Sequence, residues 1–259
     1  AERDGELSAN RTILEPTSGN TGISLAMIGS MKGYKVAVVM PENVSVERVQ
    51  LLEAYGAKII PSDGSRGTNG SIEVAQDLVN KRGSDYHMLY QYGNSGNPNA
   101  HYETTGPEIV EALPDVSMFV AGLGTGGTLM GVARRLKEHN PETKIVAVAP
   151  EPDDFISGLR SLEEGFIPPI LDIGLLDSRM LVNSFDAFST AKRLLAEEGI
   201  FAGVSSGSVV YGAIRQADRM DQGDIVCLLA DGGWKYLSTA LWTKNYEQLA
   251  KDAKGKIWW

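Results

Sequence analysis

Short apolar runs rich in Val, Ile and Met alternate along the chain with longer segments in which apolar residues recur at three and four positions. The first pattern predicts strands and the second helices, and their regular alternation predicts repeated strand-helix units with parallel sheets, an α/β fold. Strands are expected at residues 11–15, 35–40, 57–60, 87–90, 118–121, 144–149, 180–182 and 225–229. Most are apolar throughout rather than alternating, as strands covered on both faces are. Helical stripes at Ile23, Ala26, Met27, Ser30 and Met31, and at Ile72, Ala75, Leu78 and Val79, read as core. Residues 151–177, with Pro152, Pro168 and Pro169, interrupt the alternation and read as a long connection that divides two lobes or covers a cleft.

Composition narrows the class. In 259 residues, 42% hydrophobic and 22% charged, there is enough apolar side chain for a substantial core. Asp and Glu number 33 against 24 Lys and Arg, and the net charge of -9 argues against nucleic acid or an anionic membrane as partner. No apolar run approaches the roughly 20 residues that cross a bilayer, and Ala1 to Glu6 lack a basic and then apolar leader, so the expected location is cytoplasmic. The single cysteine, Cys227, excludes an internal disulfide and reads as a buried structural thiol. His87, His101 and His139 have no spacing that suggests a metal site.

Three segments carry candidate chemistry. Gly122-Leu-Gly-Thr-Gly-Gly-Thr128 follows an expected strand and opens an expected helix. Glycines permit close backbone approach and the N–H groups of a helix start attract anions, so the loop reads as a phosphate cradle to which Thr125 and Thr128 add hydroxyls. A Walker-type loop is excluded, because Leu129-Met130 stand where Lys and Ser or Thr would be. A dinucleotide fingerprint on Gly122, Gly124 and Gly127, with Glu151 as the ribose-binding acid, stays open. Glu15-Pro-Thr-Ser-Gly-Asn-Thr-Gly22 crowds hydroxyls and an amide at another helix start and reads as a carboxylate clamp, against the plainer reading of a helix cap. Val204-Ser-Ser-Gly-Ser208 opens a third helix, where Ser205 or Ser206 is either cap or ligand.

Taken together and in this order, Thr17-Ser-Gly-Asn-Thr-Gly22, Gly124-Thr-Gly-Gly-Thr128 and Val204-Ser-Ser-Gly207 resemble the fold-type II pyridoxal phosphate enzymes, and within them the cysteine synthases. Residues 40–48, Gln91-Tyr92, Thr105-Gly-Pro-Glu108 and Tyr236-Leu-Ser-Thr239 are also similar to the family. Leu159-Arg160, Glu164-Gly-Phe166 and Gly233-Trp-Lys-Tyr236 look most like the actinobacterial O-phosphoserine sulfhydrylases. The resemblance implies one catalytic unit of two interleaved α/β lobes, the smaller at about 17–95 and the larger at about 1–16 and 96–259. It implies pyridoxal 5'-phosphate with its phosphate on Gly124, Thr125, Gly126, Gly127 and Thr128, its phenolic oxygen on Asn20 and its ring nitrogen facing Ser205. Thr17, Ser18, Gly19, Thr21 and Gln91 would grip the substrate carboxylate. A neutral serine at the ring nitrogen does not force its protonation, which favours β-elimination over transamination.

The implied reaction replaces the β-phosphate of O-phosphoserine, or the acetate of O-acetylserine, by a sulfur nucleophile to give L-cysteine. The resemblance implies sulfide or the thiocarboxylate of a small carrier protein as the sulfur donor, and a homodimer as the usual assembly. Arg160 is the candidate for choosing a phosphorylated substrate, since a guanidinium meets a phosphate dianion bidentately. The alternative for Arg160 is a solvated side chain paired with Glu163 or Glu164.

Two departures qualify the resemblance. The family's Schiff-base lysine belongs to a Ser-x-Lys-Asp-Arg segment ahead of the clamp; no such segment is present, so no catalytic lysine is assigned and it is expected upstream of residue 1. Lys32 and Lys35 flank Gly33, a helix length from the clamp. Gly93-Asn-Ser-Gly-Asn-Pro98 also stands where the family usually has Asn-Pro-Ala-Asn. The competing functional expectations are a nicotinamide-dependent dehydrogenase and a catalytically silent homologue. A last expectation is that the tail Lys256-Ile-Trp-Trp259 reaches the active-site mouth.

Overall fold

In the computed structural model, which describes residues 1–8 and 10–246, all eight expected strands form. They make two four-stranded parallel sheets in two compact units, one of residues Ala1–Gln91 with the stretch from Lys235, the other of Tyr92–Trp234. The tail Lys256 to Trp259 lies outside the described residues.

In the first unit the chain runs β1 (Thr12–Pro16), α1 (Asn20–Lys32), β2 (Val36–Pro41), α2 (Val46–Ala54), β3 (Lys58–Ser62), α3 (Gly67–Arg82) and β4 (Tyr86–Met88). The sheet order is β3-β2-β1-β4, so the chain steps outward from β1 and then returns through α3 to its other side. Ile13 accordingly pairs with Val36 on one flank and His87 on the other. Ile13, Val36, Val38 and Met40 pack with Ala26 and Leu52 on one face, while Leu14, Ala37 and Val39 pack with Ala75 and Tyr86 on the other. Two covered faces are the reason for the unbroken apolar runs.

The buried face of α1 differs from the expected stripe. Met31 is 81% exposed and Met27 and Ile28 are also on the outside, whereas Gly22, Ala26 and Gly29 are buried. A Cβ at Gly22 would lie 2.9 Å from Thr17 Cγ2, and one at Gly29 would strike Val36, so this helix meets its sheet through small residues. Of the expected stripe, Ala26 is buried and Ile23 packs on the core, while Met27, Ser30 and Met31 are exposed.

The second unit contains α4 (Gly96–Glu103), α5 (Thr105–Ala112), β5 (Met118–Gly122), α6 (Gly127–His139), β6 (Lys144–Pro150), β7 (Ser178–Val182), α7 (Ser184–Glu198), α8 (Val204–Ala217) and β8 (Ile225–Cys227). Its order is β7-β6-β5-β8, and the chain again steps outward from a first strand before the last strand returns beside it. Phe119, Ala121, Leu129, Leu136, Ile145 and Ala147 form the core between this sheet and α6. Cys227 is half-buried rather than buried, and burial still pushes its thiol up to about 11.

The divisions fall elsewhere than at 16/17 and 95/96. β1 is an inner strand of the first sheet and cannot be assigned to the other unit, and residues from Lys235 on return to the first unit. Residues 151–177 do not divide the units: they lie wholly in the second, where Leu171, Leu175 and Leu176 cover its core.

Candidate active site

The candidate residues fall into two sets, one in each unit. In the first unit the clamp follows β1, the strand at which the order of the sheet reverses, where loops at carboxyl ends form crevices in open α/β sheets. Helix α1 begins with Gly19 as its N-cap and has no side-chain cap bond, so the helix-cap reading of Thr17, Ser18 and Asn20 does not hold. Thr17, which is buried, closes a turn by accepting the Gly19 N–H at 3.1 Å. Thr21 Oγ1 donates to Gln91 Oε1 at 2.7 Å, and Gln91 Nε2 donates to the Pro16 carbonyl at 3.0 Å. The structure therefore joins Gln91, seventy residues on, to the clamp. Ser18 and Gly19 are half-buried between these groups and Asn20 is exposed.

Beneath Gln91 lies a residue without a sequence-based role. Glu15 is fully buried, and its Oε1 accepts the Gln91 N–H at 2.9 Å. The Tyr90 N–H also bonds this carboxyl, and Tyr90 itself takes φ 56, a left-handed angle unusual for a bulky residue. Burial pushes the carboxyl up from 4.5 to about 7, with the two N–H groups opposing. Lys235 is the other unforeseen neighbour: its Nζ donates to Asn20 Oδ1. The turn Gly233–Thr239 that carries it is fastened to the start of α2, with Ser45 Oγ donating to the Lys235 carbonyl at 2.8 Å and Ser238 N and Oγ donating to Glu47 at 2.6 and 2.8 Å. The Arg48 guanidinium lies 4.8 Å above the Tyr236 ring. The motif at 40–48 thus serves to hold Lys235 and its turn.

In the second unit, Gly122 to Thr128 occupy the matching place at the end of β5 and the start of α6. The N-cap Gly126 has φ 89 and again no side-chain cap bond. Here the glycines are required by space as well. A Cβ on Gly124 would lie 2.8 Å from the Gly158 carbonyl oxygen, one on Gly122 would strike Leu159, and one on Gly127 would strike Asn97. Thr125 Oγ1 accepts from Asn97 Nδ2 at 2.9 Å and from the Gly127 N–H at 3.2 Å. Thr128 Oγ1 lies 3.1 Å from His101 Nε2. A helix start whose N-cap is a glycine, lined by two hydroxyls and closed to any Cβ, fits a phosphate monoester.

The segment beside this loop contains Arg160. Its N–H donates to the Leu123 carbonyl at 2.7 Å, and the residue is 7% exposed. The guanidinium lies 5.2 Å from the Tyr92 ring and 4.7 Å from the Phe166 ring, which meet edge to face at 5.4 Å. Glu163, one of the two acids considered as partners for Arg160, pairs with Arg179 at 2.6 Å. Ser205, also buried, is the second residue of α8 after the N-cap Gly203, and its Oγ is the atom nearest a Cβ placed on Gly158, at 3.7 Å. The adjoining Ser206 Oγ and Ser208 Oγ are buried and have no hydrogen-bond partner among the described residues.

These two sets define the class of protein. Over residues 1–231 the chain matches the family model described as pyridoxal-phosphate dependent enzyme. It is 40% identical to cysteine synthase A of Escherichia coli (strain K12) over 266 residues, covering 96% of this chain and 82% of that one. It is 42% identical to the cysteine synthase of Staphylococcus aureus (strain Mu50) over 253 residues, covering 94% and 81%. The crystal structure of cysteine synthase from Entamoeba histolytica matches with a TM-score of 0.86 at 33% identity, over 97% of this chain and 78% of that one. The chain belongs to the cysteine synthase family of fold-type II pyridoxal phosphate enzymes, and pyridoxal 5'-phosphate is its cofactor. The dinucleotide reading of Gly122, Gly124 and Gly127, and that of a silent homologue, find no support in these relationships.

Proposed function

We propose that the chain makes L-cysteine by replacing the β-substituent of a serine derivative with sulfur, and that O-phosphoserine is preferred over O-acetylserine. The observation that carries the preference is the placement of Arg160, buried and tied through its backbone to Leu123 inside the glycine loop. Two aromatic rings cover the guanidinium, so its recognition is directed to the N–H edge, which matches the oxygens of a phosphate and has no counterpart in an acetyl ester.

The residues divide the work as follows. The backbone of Gly124, Gly126 and Gly127, with the hydroxyls of Thr125 and Thr128, would hold the cofactor phosphate at the start of α6. Asn20 would take the phenolic oxygen and Ser205 the ring nitrogen. When bound, the cofactor supplies an electron sink that makes the α-proton of the amino acid acidic. Thr17, Ser18, Gly19, Thr21 and Gln91 would hold the substrate carboxylate, with the bond donated by the Thr21 hydroxyl to Gln91 Oε1 fixing the orientation of the Gln91 amide. Ser205, a hydroxyl, supplies no charge at the ring nitrogen and so favours loss of the β-group over transamination. Arg160 would neutralise the phosphate as it leaves.

The sulfur donor is proposed to be sulfide or a carrier-protein thiocarboxylate, and the protein to act as a cytoplasmic homodimer. The test of substrate choice is Arg160→Ala, with L-cysteine formation from both substrates measured side by side. The expected result is a loss of kcat/KM for O-phosphoserine of about 100-fold, the cost of one bidentate charged pair, with O-acetylserine reduced no more than a few-fold. Equal losses on the two substrates would sink the preference.

A further inference from the structure

The helix α4 carries two side chains that the reading above leaves without a part. Asn97 and His101 stand four residues apart and so share one side of the helix. Gly127 and Gly131 of α6 are also four apart, and they are what allow the two helices to meet. A Cβ on Gly127 would strike the Asn97 amide, and one on Gly131 would strike the Pro98 carbonyl oxygen. At this separation each threonine hydroxyl of the glycine loop has its own partner on α4: Asn97 Nδ2 with Thr125 Oγ1 at 2.9 Å, and His101 Nε2 with Thr128 Oγ1 at 3.1 Å. The far nitrogen of the imidazole, Nδ1, lies 2.9 Å from Thr105 Oγ1, the first residue of α5.

We propose that Asn97 and His101 are positioning residues for the cofactor phosphate: each donates to a loop hydroxyl oxygen and thereby leaves the hydroxyl's own proton to point at the phosphate. This rests on the assignment of the phosphate to Gly124–Thr128. A hydroxyl has one proton and two lone pairs. Thr125 Oγ1 accepts from Asn97 Nδ2 and from the Gly127 N–H, so both lone pairs are engaged and what remains is a donor. Thr128 depends on the tautomer of His101. Burial pushes the imidazole pKa down and keeps the ring neutral, with one N–H. If Thr105 donates to Nδ1, then Nε2–H donates to Thr128 and the Thr128 proton is available to an anion. The reverse tautomer would turn the Thr128 proton onto the ring. A bound phosphate, which accepts and never donates when fully ionised, therefore selects the Nε2–H form.

The test uses the full chain freed of cofactor and two probes that differ only in the phosphate, pyridoxal 5'-phosphate and pyridoxal, with binding followed by absorbance. His101→Phe is expected to weaken pyridoxal 5'-phosphate about ten-fold, the upper size of one neutral hydrogen bond, and to leave pyridoxal unchanged. His101→Gln, whose amide can donate to Thr128, is expected to recover most of that loss. As a readout independent of both variants, the chain has three histidines, and inorganic phosphate should move the 15N shifts of His101 toward the Nε2–H pattern while those of His87 and His139 stay. Equal weakening of both probes, or a His101 signal indifferent to phosphate, would overturn the proposal. Thr128→Val separates the two levels of the argument. If it leaves the preference for the phosphorylated probe intact, the assignment of the phosphate to this loop is wrong; if it removes the preference while His101→Phe does not, only the role of His101 is.

Discussion

Glu15 shows how a single residue couples the scaffold to the clamp. Its carboxyl is fully buried in β1, holds the backbone N–H groups of Tyr90 and Gln91, and leaves Oε2 without a hydrogen-bond partner among the described residues. Among the described residues no charge offsets its burial. Lys32 of α1 pairs with Glu2, Glu73 of α3 with Arg66, Asp77 with Lys81 and Arg82 with Asp85, and His87 of β4 has no part in its shift. An acid whose pKa rises on folding, here from 4.5 to about 7, binds its proton more tightly in the native state. Its contribution to stability is therefore full below pH 4.5, falls as pH rises from there to about 7, and stays low above. Glu15→Gln removes that dependence. In urea denaturation at a series of pH values, the stability of the variant relative to the parent should rise by roughly 3 kcal/mol between pH 4.5 and pH 8, whatever the constant offset. Parallel curves would mean that Glu15 is not held at a raised pKa.

At the scale of elements, helices α6 and α8 are seated by glycines. Gly131 lies against the Pro98 carbonyl oxygen of α4 and Gly207 against the Ala187 carbonyl oxygen of α7, and both obstacles are backbone, which cannot turn aside. Gly131→Ala and Gly207→Ala should each cost about 2 kcal/mol or more in urea denaturation through overpacking. Gly165→Ala, at φ 83 with open space around it, should cost only about 1 kcal/mol of backbone strain. Losses of equal size at all three positions would remove the packing argument. This use of glycine also explains what the sequence showed and hid. All eight strands were legible, because two-sided burial writes itself as unbroken Val, Ile and Met runs. The loops at Thr17–Thr21 and Gly122–Thr128 were legible because hydroxyls and glycines concentrate at helix starts. The buried side of α1 was legible only in part, at Ile23 and Ala26, since Gly22 and Gly29 add no apolar side chain to it. Asn97 and His101 had the right spacing, four apart, but their purpose depends on the close approach of α6, which no local pattern in α4 encodes. Lys235 and Glu15 depend on contacts with Asn20 and Gln91 across 215 and 76 residues, beyond any reading of local spacing.

In the molecule as a whole the same strand plan occurs twice without a sequence repeat. Orders β3-β2-β1-β4 and β7-β6-β5-β8 each place the first strand where the order reverses, and the carboxylate clamp and the glycine loop each follow that strand. The ligand chemistry is thus divided by unit: an amide oriented by Thr21 beside the clamp loop in the first, a glycine-lined helix start with hydroxyls fixed from α4 in the second. With a net charge of -9, the protein repels anions in general, so anion binding at low millimolar concentration reports a built site rather than a diffuse field. Inorganic phosphate added to the cofactor-free chain should therefore slow amide exchange at residues 124–128 and in α4 around 97–101, and leave residues 17–21 unchanged. Protection appearing equally at 17–21 would show that the clamp does not distinguish a carboxylate from a phosphate, and the division of roles between the two loops would fall.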